Sequence, residues 1–518
     1  MPGRVYDRDV SVSSPSAERG PPPTGDDEET VAGLRAALKR ADFTTDAVEA
    51  RLGTHELSSR ADQVAVHVRR LAGDDAFATL AKVFLLGTEV DAPALRRALQ
   101  PLDLGALVGL GLVATDGSRV WARARLVPHG DYYIASDADH GQGPKAPYDH
   151  VPGIQAPSVT LAKLAVRRRV ATALDLGTGC GIQALLAAKH CERVVATDVS
   201  GRALGFARFN LRLNGVDNVE LRLGDGFEAV GGERFDLIVS NPPYVISPDT
   251  AYAYRDSGLE ADAFCRRIIG SLPDFLAEGG FAHVLVSWTE EPAGDWAGPL
   301  RNWVDERGCD VWLLHYKTED ALTHAASWLR PLGEDDPVSY EHALDRWLEY
   351  LRRLKIEAIG YGAVVLRRRS GSRNWVHADR LPLDRLEPAS DHTLRVFAAR
   401  DYLEGLADDA ELLDGIFELT EHHCLEQTIV SREGGLAVES QTLVLLDGLA
   451  FRVGLDRYTA ALLPHFDGAK PLREVLGQAR KALRLDAAEE DQFEEAALPV
   501  ARRLLELGFL SRPSGPGV

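Results

Sequence analysis

Between Val151 and Arg369 the chain alternates short apolar runs with helical segments, and no other feature of its 518 residues restricts the fold as strongly. The runs are ATALDL, RVVATD, NVELRLGD, FDLIVSNPPY, FAHVLVSW and DVWLLHYK, all rich in β-branched or bulky apolar residues. Segments such as GRALGFARFNLRLNG and ADAFCRRIIGSLPDFLAEGG lie between them and space their apolar residues three to four apart. Strands joined through helices pair in parallel and need cover on both faces. The expected fold class is therefore α/β, a doubly wound sheet. GYGAVVLRRR supplies a seventh, final strand at the sheet edge. The stretch 318–357 before it, with the helical EHALDRWLEYLRRL, reads as an insertion.

The flanks divide the rest of the chain. Residues 1–30 are rich in Pro, Ser, Gly and charge and read as a disordered tail. Residues 31–140 carry helical periodicity and then an alternating stretch with a DG turn, a helix–helix–hairpin order that suggests a winged-helix-like domain or a plain packing domain. Residues 141–370 form the α/β domain. After the polar linker SGSRNWVHADR, residues 371–518 read as an acidic α+β domain with a winged-helix-like end; from Gly371 onward there are 16 Lys+Arg against 26 Asp+Glu.

Charge and cysteines narrow the partners. A net charge of -20 lowers the expectation of a nucleic-acid substrate, because phosphate contacts need a basic face, and favours a protein or small molecule. The five cysteines are scattered without a C-x-x-C pair, which suits a reducing cytoplasm and argues against a zinc site or a disulfide frame. No apolar run approaches the ~20 residues that span a bilayer, and the N-terminus has no apolar signal core, so no membrane partner is expected.

Four motifs fall at the carboxyl ends of consecutive strands, where open α/β sheets bind ligands. Asp175-Leu-Gly177-Thr178-Gly179-Cys-Gly181 follows the first strand; its glycines permit a tight turn and close approach of a ligand to the backbone. Asp198 ends the second, 23 residues after Asp175, followed by Val199; a carboxylate there suits the two hydroxyls of a ribose. Asp225-Gly226 ends the third, within reach of an adenine edge. Asn241-Pro242-Pro243-Tyr244 ends the fourth. Singly, each aspartate could merely cap the next helix. In this order they describe a nucleoside-cofactor site.

The order DLGTGCG, TD, GDG, NPPY resembles the class I methyltransferases of the NPPY, amino-methylating branch, and within it the small-domain and release-factor glutamine methyltransferases. The resemblance covers about Val151 to Leu366. It implies a Rossmann-like methyltransferase sheet and S-adenosyl-L-methionine as cofactor, held by Asp175, Gly177, Thr178, Gly179, Asp198, Val199, Asp225, Gly226 and Asn241. Catalysis would then fall to Asn241, Pro242 and Tyr244, with Pro243 and Tyr244 against the substrate.

The tetrapeptide suits methylation of a planar nitrogen. Such a nitrogen is a poor nucleophile, because its lone pair is delocalised. Acceptors aimed at its two N–H groups, the Asn241 side-chain oxygen and the Pro242 carbonyl, would orient it for in-line transfer and favour pyramidalisation. The prolines stiffen the turn, and Tyr244 offers a flat face. A protein glutamine amide is the leading acceptor. An exocyclic amine of RNA or DNA, a small molecule, and a degenerate fold acting as a binding module are the alternatives.

Other candidates are weaker. Pro152 to Thr160, with Pro157, reads as a cofactor-pocket segment. Tyr132 and Tyr133 could face substrate or pack. Glu421-His422-His423-Cys424 has no partner cluster, so no metal is expected. Arg367-Arg368-Arg369 reads as a phosphate contact or a solvated strand end.

Overall fold

A computed structural model describes residues 20–54, 61–138, 147–291, 294–304, 308–370, 373–382, 385–432, 435–485 and 487–513. The central sheet has strands β1 (Val170–Leu176), β2 (Cys191–Asp198), β3 (Val219–Leu223), β4 (Phe235–Ser240), β5 (Leu276–Glu290), β6 (Cys309–Asp320), β7 (Ala358–Arg368) and β8 (Val376–Arg380). Their order is β8-β6-β7-β5-β4-β1-β2-β3. The order reverses between β1 and β4, the switch point at which such sheets open a crevice.

The α/β class is as expected, with two corrections in detail. GYGAVVLRRR is not an edge strand: β7 lies between β5 and β6 and runs antiparallel to both, with Val364 opposite Val284 on one side and Leu313 on the other. Its glycines fit that central place. A Cβ on Gly360 would stand 2.3 Å from the indole of Trp288, which lies across the strand. The edge is β8, an eighth strand, parallel to β6, cut from the supposed linker SGSRNWVHADR. Its polar look misleads because its polar groups are partnered. Asp379 accepts the Trp312 indole N–H at 2.9 Å and pairs with Arg503 at 3.0 Å.

Helices cover both faces. On the side of β1 to β3 lie α1 (Ile182–Ala188) and α2 (Gly201–Asn214); α3 (Ala263–Phe275) precedes β5. The expected insertion is a pair of helices, α4 (Ala321–Asp335) and α5 (Pro337–Arg353), between β6 and β7.

Neither flank stands apart from the core. Helices between Glu28 and Gly109 and a small sheet (Val90–Asp91, Val113–Thr115, Arg119–Ala122, the third strand in the middle) pack into the same apolar cluster as Ile182, Leu185, Phe206 and Phe209. A second hairpin, Ala124–His129 with Tyr132–Asp137, leans on α2, where Asn210 hydrogen-bonds both backbone groups of Ala135 at 2.7 and 2.8 Å. Residues 20–30, read from sequence as part of a disordered tail, are ordered. Residues 20–27 lie along α2, held by Arg212 at the Gly25 carbonyl (2.6 Å), and a helix starts at Glu28 with Asp27 as its cap. Residues 1–19 lie outside the described residues.

Beyond β8, helix Ser390–Gly405 packs with Trp312 and Ala363 in one cluster. The remainder is a three-stranded sheet with Ile416–Leu419 in the middle, a meander (His423–Arg432, Gly435–Leu445, Arg452–Leu455), and helices Arg457–Leu462, Leu472–Leu483 and Ala487–Glu506. The seam explains the arginine run. Arg367 meets Asp401 at 2.7 Å, Arg369 meets Asp310 at 2.8 Å, and Arg368 donates to the Pro273 carbonyl. Burial disfavours the charge on Asp310, but hydrogen bonds from Arg369, Arg367 and Asn374 outweigh it and hold this acid below its ordinary range. The triplet is a structural ion-pair network, neither solvated nor free for phosphates.

Candidate active site

The turn after β1 is built by three left-handed glycines, Gly177, Gly179 and Gly181, with φ of 76°, 56° and 87°. A Cβ on Gly177 or Gly179 would stand in open space, whereas one on Gly181 would press to 3.1 Å from the Cα of Ala207. Gly181 thus serves helix packing, while the first two leave bare backbone facing a void. Asp175 sits beneath the turn, 1% exposed. It accepts the Thr178 hydroxyl at 2.6 Å and the Ala184 N–H at 2.9 Å. Burial pushes its carboxyl up to about 7; these hydrogen bonds oppose the rise and the nearby Asp198 adds to it.

Asp198, at the end of β2, accepts the Gly179 N–H at 2.9 Å and the Ser200 N–H at 2.8 Å. It therefore ties the glycine turn to the next strand and still retains acceptor capacity on each oxygen. Burial raises its pKa, opposed by those backbone hydrogen bonds. Asp225 lies two residues past β3, opens the helical turn Gly226–Val230 and pairs loosely with Arg267 at 3.5 Å. Asn241 follows β4 directly and is half-buried. Among the described residues its side-chain amide makes no hydrogen bond.

One cavity of about 590 Å³ brings these groups together. Its walls include Asp175, Gly177, Thr178, Gly179, Asp198, Val199, Asp225, Gly226 and all of Asn241, Pro242, Pro243 and Tyr244. The residues that the resemblance assigns to cofactor, substrate and catalysis all line it, as do Pro152, Gly153, Gln155, Pro157 and Ser158. Tyr244 is less free than the sequence suggested. Its ring abuts several apolar clusters, and burial, with Cys265 nearby, raises its phenol above the ordinary range. Its cavity-facing part is a fixed wall.

Tyr132 and Tyr133 are elsewhere. Tyr132 donates to the Leu185 carbonyl at 2.9 Å, and Tyr133 stacks on Phe43. Glu421 to Cys424 lie at the start of an exposed strand, with the His423 ring against the Thr420 carbonyl.

Sequence reasoning missed the other half of the wall: Tyr148, His150, Tyr254, Arg255, Asp256 and Trp328. Tyr254 to Asp256 sit in the connection after NPPY, which Asp256 knits together by accepting from Ser247 (2.9 Å), Ala251 (3.1 Å) and Arg255 (2.8 Å). A signal existed, since structureless connections of this length in compact domains are usually functional. Trp328 comes from α4 and donates to the Tyr361 hydroxyl at 3.1 Å. His324, one turn earlier, contacts that same hydroxyl and the Ile246 carbonyl, the latter at 2.7 Å. The inserted helices are thereby fastened to the segment after NPPY.

Residues 155–279 match the family model described as Methyltransferase small domain. The core is that of a class I methyltransferase. On either side of this methyltransferase core, residues 40–123 and 394–512 match Domain of unknown function (DUF7059) and Domain of unknown function (DUF7782). A release factor glutamine methyltransferase of Xylella fastidiosa is 40% identical over 146 residues, 25% of this chain and 50% of that protein. A ribosomal protein uL3 glutamine methyltransferase of Bradyrhizobium diazoefficiens is 34% identical over 165 residues, 29% of this chain and 47% of that protein. The chain spans about half the length of these curated relatives. Among solved structures, a methyltransferase from Pyrococcus furiosus is similar at a TM-score of 0.26 and 21% identity, over 42% of this chain and 87% of that one.

Proposed function

We propose that this chain is an S-adenosylmethionine-dependent N-methyltransferase whose acceptor is the side-chain amide of a protein glutamine. The observation that carries this reading is Asn241, a half-buried amide with no hydrogen bond among the described residues, in a cavity shared with a bare glycine turn and Asp198. The residues fit the cofactor. Gly177, Gly179 and Gly226 each leave space where a Cβ would stand, and Asp198 has acceptors for ribose hydroxyls. Bound there, the cofactor supplies an electrophilic methyl group.

The protein's part is orientation. The Asn241 side-chain oxygen and the Pro242 carbonyl accept the two N–H groups of an amide. That fixes its plane and draws its lone pair out of conjugation. Tyr244 holds the flat face of the amide, and the apolar surround limits water. The curated relatives' names, both of glutamine methyltransferases, support the acceptor class.

Charge favours a protein over a nucleic acid. The cavity wall carries the acids Asp149, Asp175, Asp198, Asp225 and Asp256, and its two guanidiniums, Arg255 and Arg267, are already paired with Asp256 and Asp225. Among the described residues of the wall, a polyanion would meet no unpaired guanidinium or ammonium.

The test is transfer of labelled methyl from S-adenosylmethionine into a lysate lacking the endogenous protein. Protease-sensitive label recovered as N5-methylglutamine is expected. Label confined to nuclease-sensitive material or small molecules would overturn the acceptor assignment.

A further inference from the structure

The roof of the cavity, His150 to Gly153, meets the preceding hairpin at Asp137, which is also half of a buried ion pair. Asp137 ends that hairpin and Arg202 lies in the first turn of α2, just past Asp198; their side chains are 5% and 11% exposed. Arg202 grips the carboxylate through two nitrogens, with Nε at 3.0 Å from Oδ2 and Nη2 on Oδ1. Its third nitrogen, Nη1, donates to the Gly20 carbonyl at 2.9 Å. Asp137 in turn holds the roof: the Val151 N–H donates to Oδ2 at 2.8 Å, the Asp137 N–H donates to the Val151 carbonyl at 3.0 Å, and the His150 ring stands 3.8 Å away. The roof lies so close that a Cβ on Gly153 would stand 2.9 Å from the Ser136 hydroxyl. Across the cavity mouth, the Tyr148 carbonyl accepts the Ala253 N–H at 2.9 Å from the segment after NPPY.

We propose that Asp137 is a positioning residue for the cofactor: locked by Arg202, it sets the height of the His150–Gly153 roof and so makes cofactor affinity depend on the N-terminal region. This rests on the cofactor reading above. A bidentate guanidinium–carboxylate pair is rigid, and a buried one is sensitive to loss of either partner. Residues 20–27 and the hairpin would then be part of the binding apparatus rather than an appended module.

The experiment is calorimetric titration of the full chain with S-adenosylhomocysteine. Asp137→Asn and Arg202→Lys each keep size but lose the two-point grip, and each is expected to weaken binding about tenfold or more. The double variant should be no weaker than the worse single one, since both cut the same link. Asp310→Asn, which loosens an equally buried ion pair at the seam with the C-terminal region, should lower Tm and leave affinity within twofold. That separates positioning from general destabilisation. Should Asp137→Asn fail to fold, Arg202→Lys carries the test alone. Folded variants that bind as the wild type does, or an Asp310→Asn that weakens binding equally, would overturn the proposal. A wild-type chain that does not bind S-adenosylhomocysteine would overturn the cofactor reading itself.

Discussion

Replacing Asn241 separates binding from chemistry. Its side chain makes no hydrogen bond among the described residues and reaches the cavity, so Asn241→Ala breaks no fold contact of that kind. The stability change should stay within about 0.5 kcal/mol, as for positions free of structural partners. The glycine turn and Asp198 keep their mutual hydrogen bond at 2.9 Å, so cofactor affinity should change less than threefold or so. The loss should appear in turnover. Removing one positioned polar group that acts on the reacting atoms costs about 3–4 kcal/mol, or ~10²–10³ in rate. The assay is labelled-methyl transfer to protein in lysate, run at saturating cofactor beside a thermal melt. Asn241→Asp should be as slow or slower, because a carboxylate in a wall shared with Asp175 and Asp198 adds like charge. Full activity in Asn241→Ala would refute the proposed role of the tetrapeptide.

Three further outcomes follow from the geometry. Trp328→Ala should raise the acceptor KM roughly tenfold or more, the scale of one lost aromatic contact, while S-adenosylhomocysteine affinity stays within twofold; weakened cofactor binding instead would place this wall on the other side of the cavity. Asp175 makes the unliganded protein pH-sensitive. Its folded pKa, about 7, lies above its unfolded value, so its contribution is fully present below about pH 4 and is lost as pH rises toward 7. Between pH 5 and 7.5 the wild type should lose up to about 3 kcal/mol relative to Asp175→Asn, read from chemical denaturation; parallel profiles would show that the carboxyl is ionised throughout. Gly181→Ala, with φ of 87° and the Ala207 backbone at 3.1 Å, should cost about 1–3 kcal/mol in urea denaturation, while Gly232→Ala, with open space around it, should cost less than about 1 kcal/mol.

What the sequence made legible was local chemistry. The glycines of the first turn, Asp198 and Asn241 were readable because each sits directly after an apolar run whose length marks a strand tip, and adjacent tips of a parallel sheet converge. What escaped it was set by tertiary pairing. Trp375 to Arg380 looked like a linker because His377, Asp379 and Arg380 are polar. Only the fold shows Asp379 satisfied by Trp312, Arg400 and Arg503. The place of β7 between β5 and β6 depends on Trp288 lying over Gly360, a contact between residues 72 positions apart that no window reveals. Trp328 reads as an ordinary apolar helix residue; its place on the cavity wall follows from His324 bridging Tyr361 and Ile246. Arg202 and Asp137 lie 65 positions apart and join only when the hairpin packs on α2.

On the proposed function, the cavity at the tips of β1, β2 and β4 holds a methyl donor. Titrating the wild-type chain with S-adenosylmethionine tests it most directly. One site per chain is expected, weakened about tenfold or more by Asp198→Ala and retained in Asn241→Ala. Absence of binding, or binding indifferent to Asp198→Ala, would contradict it.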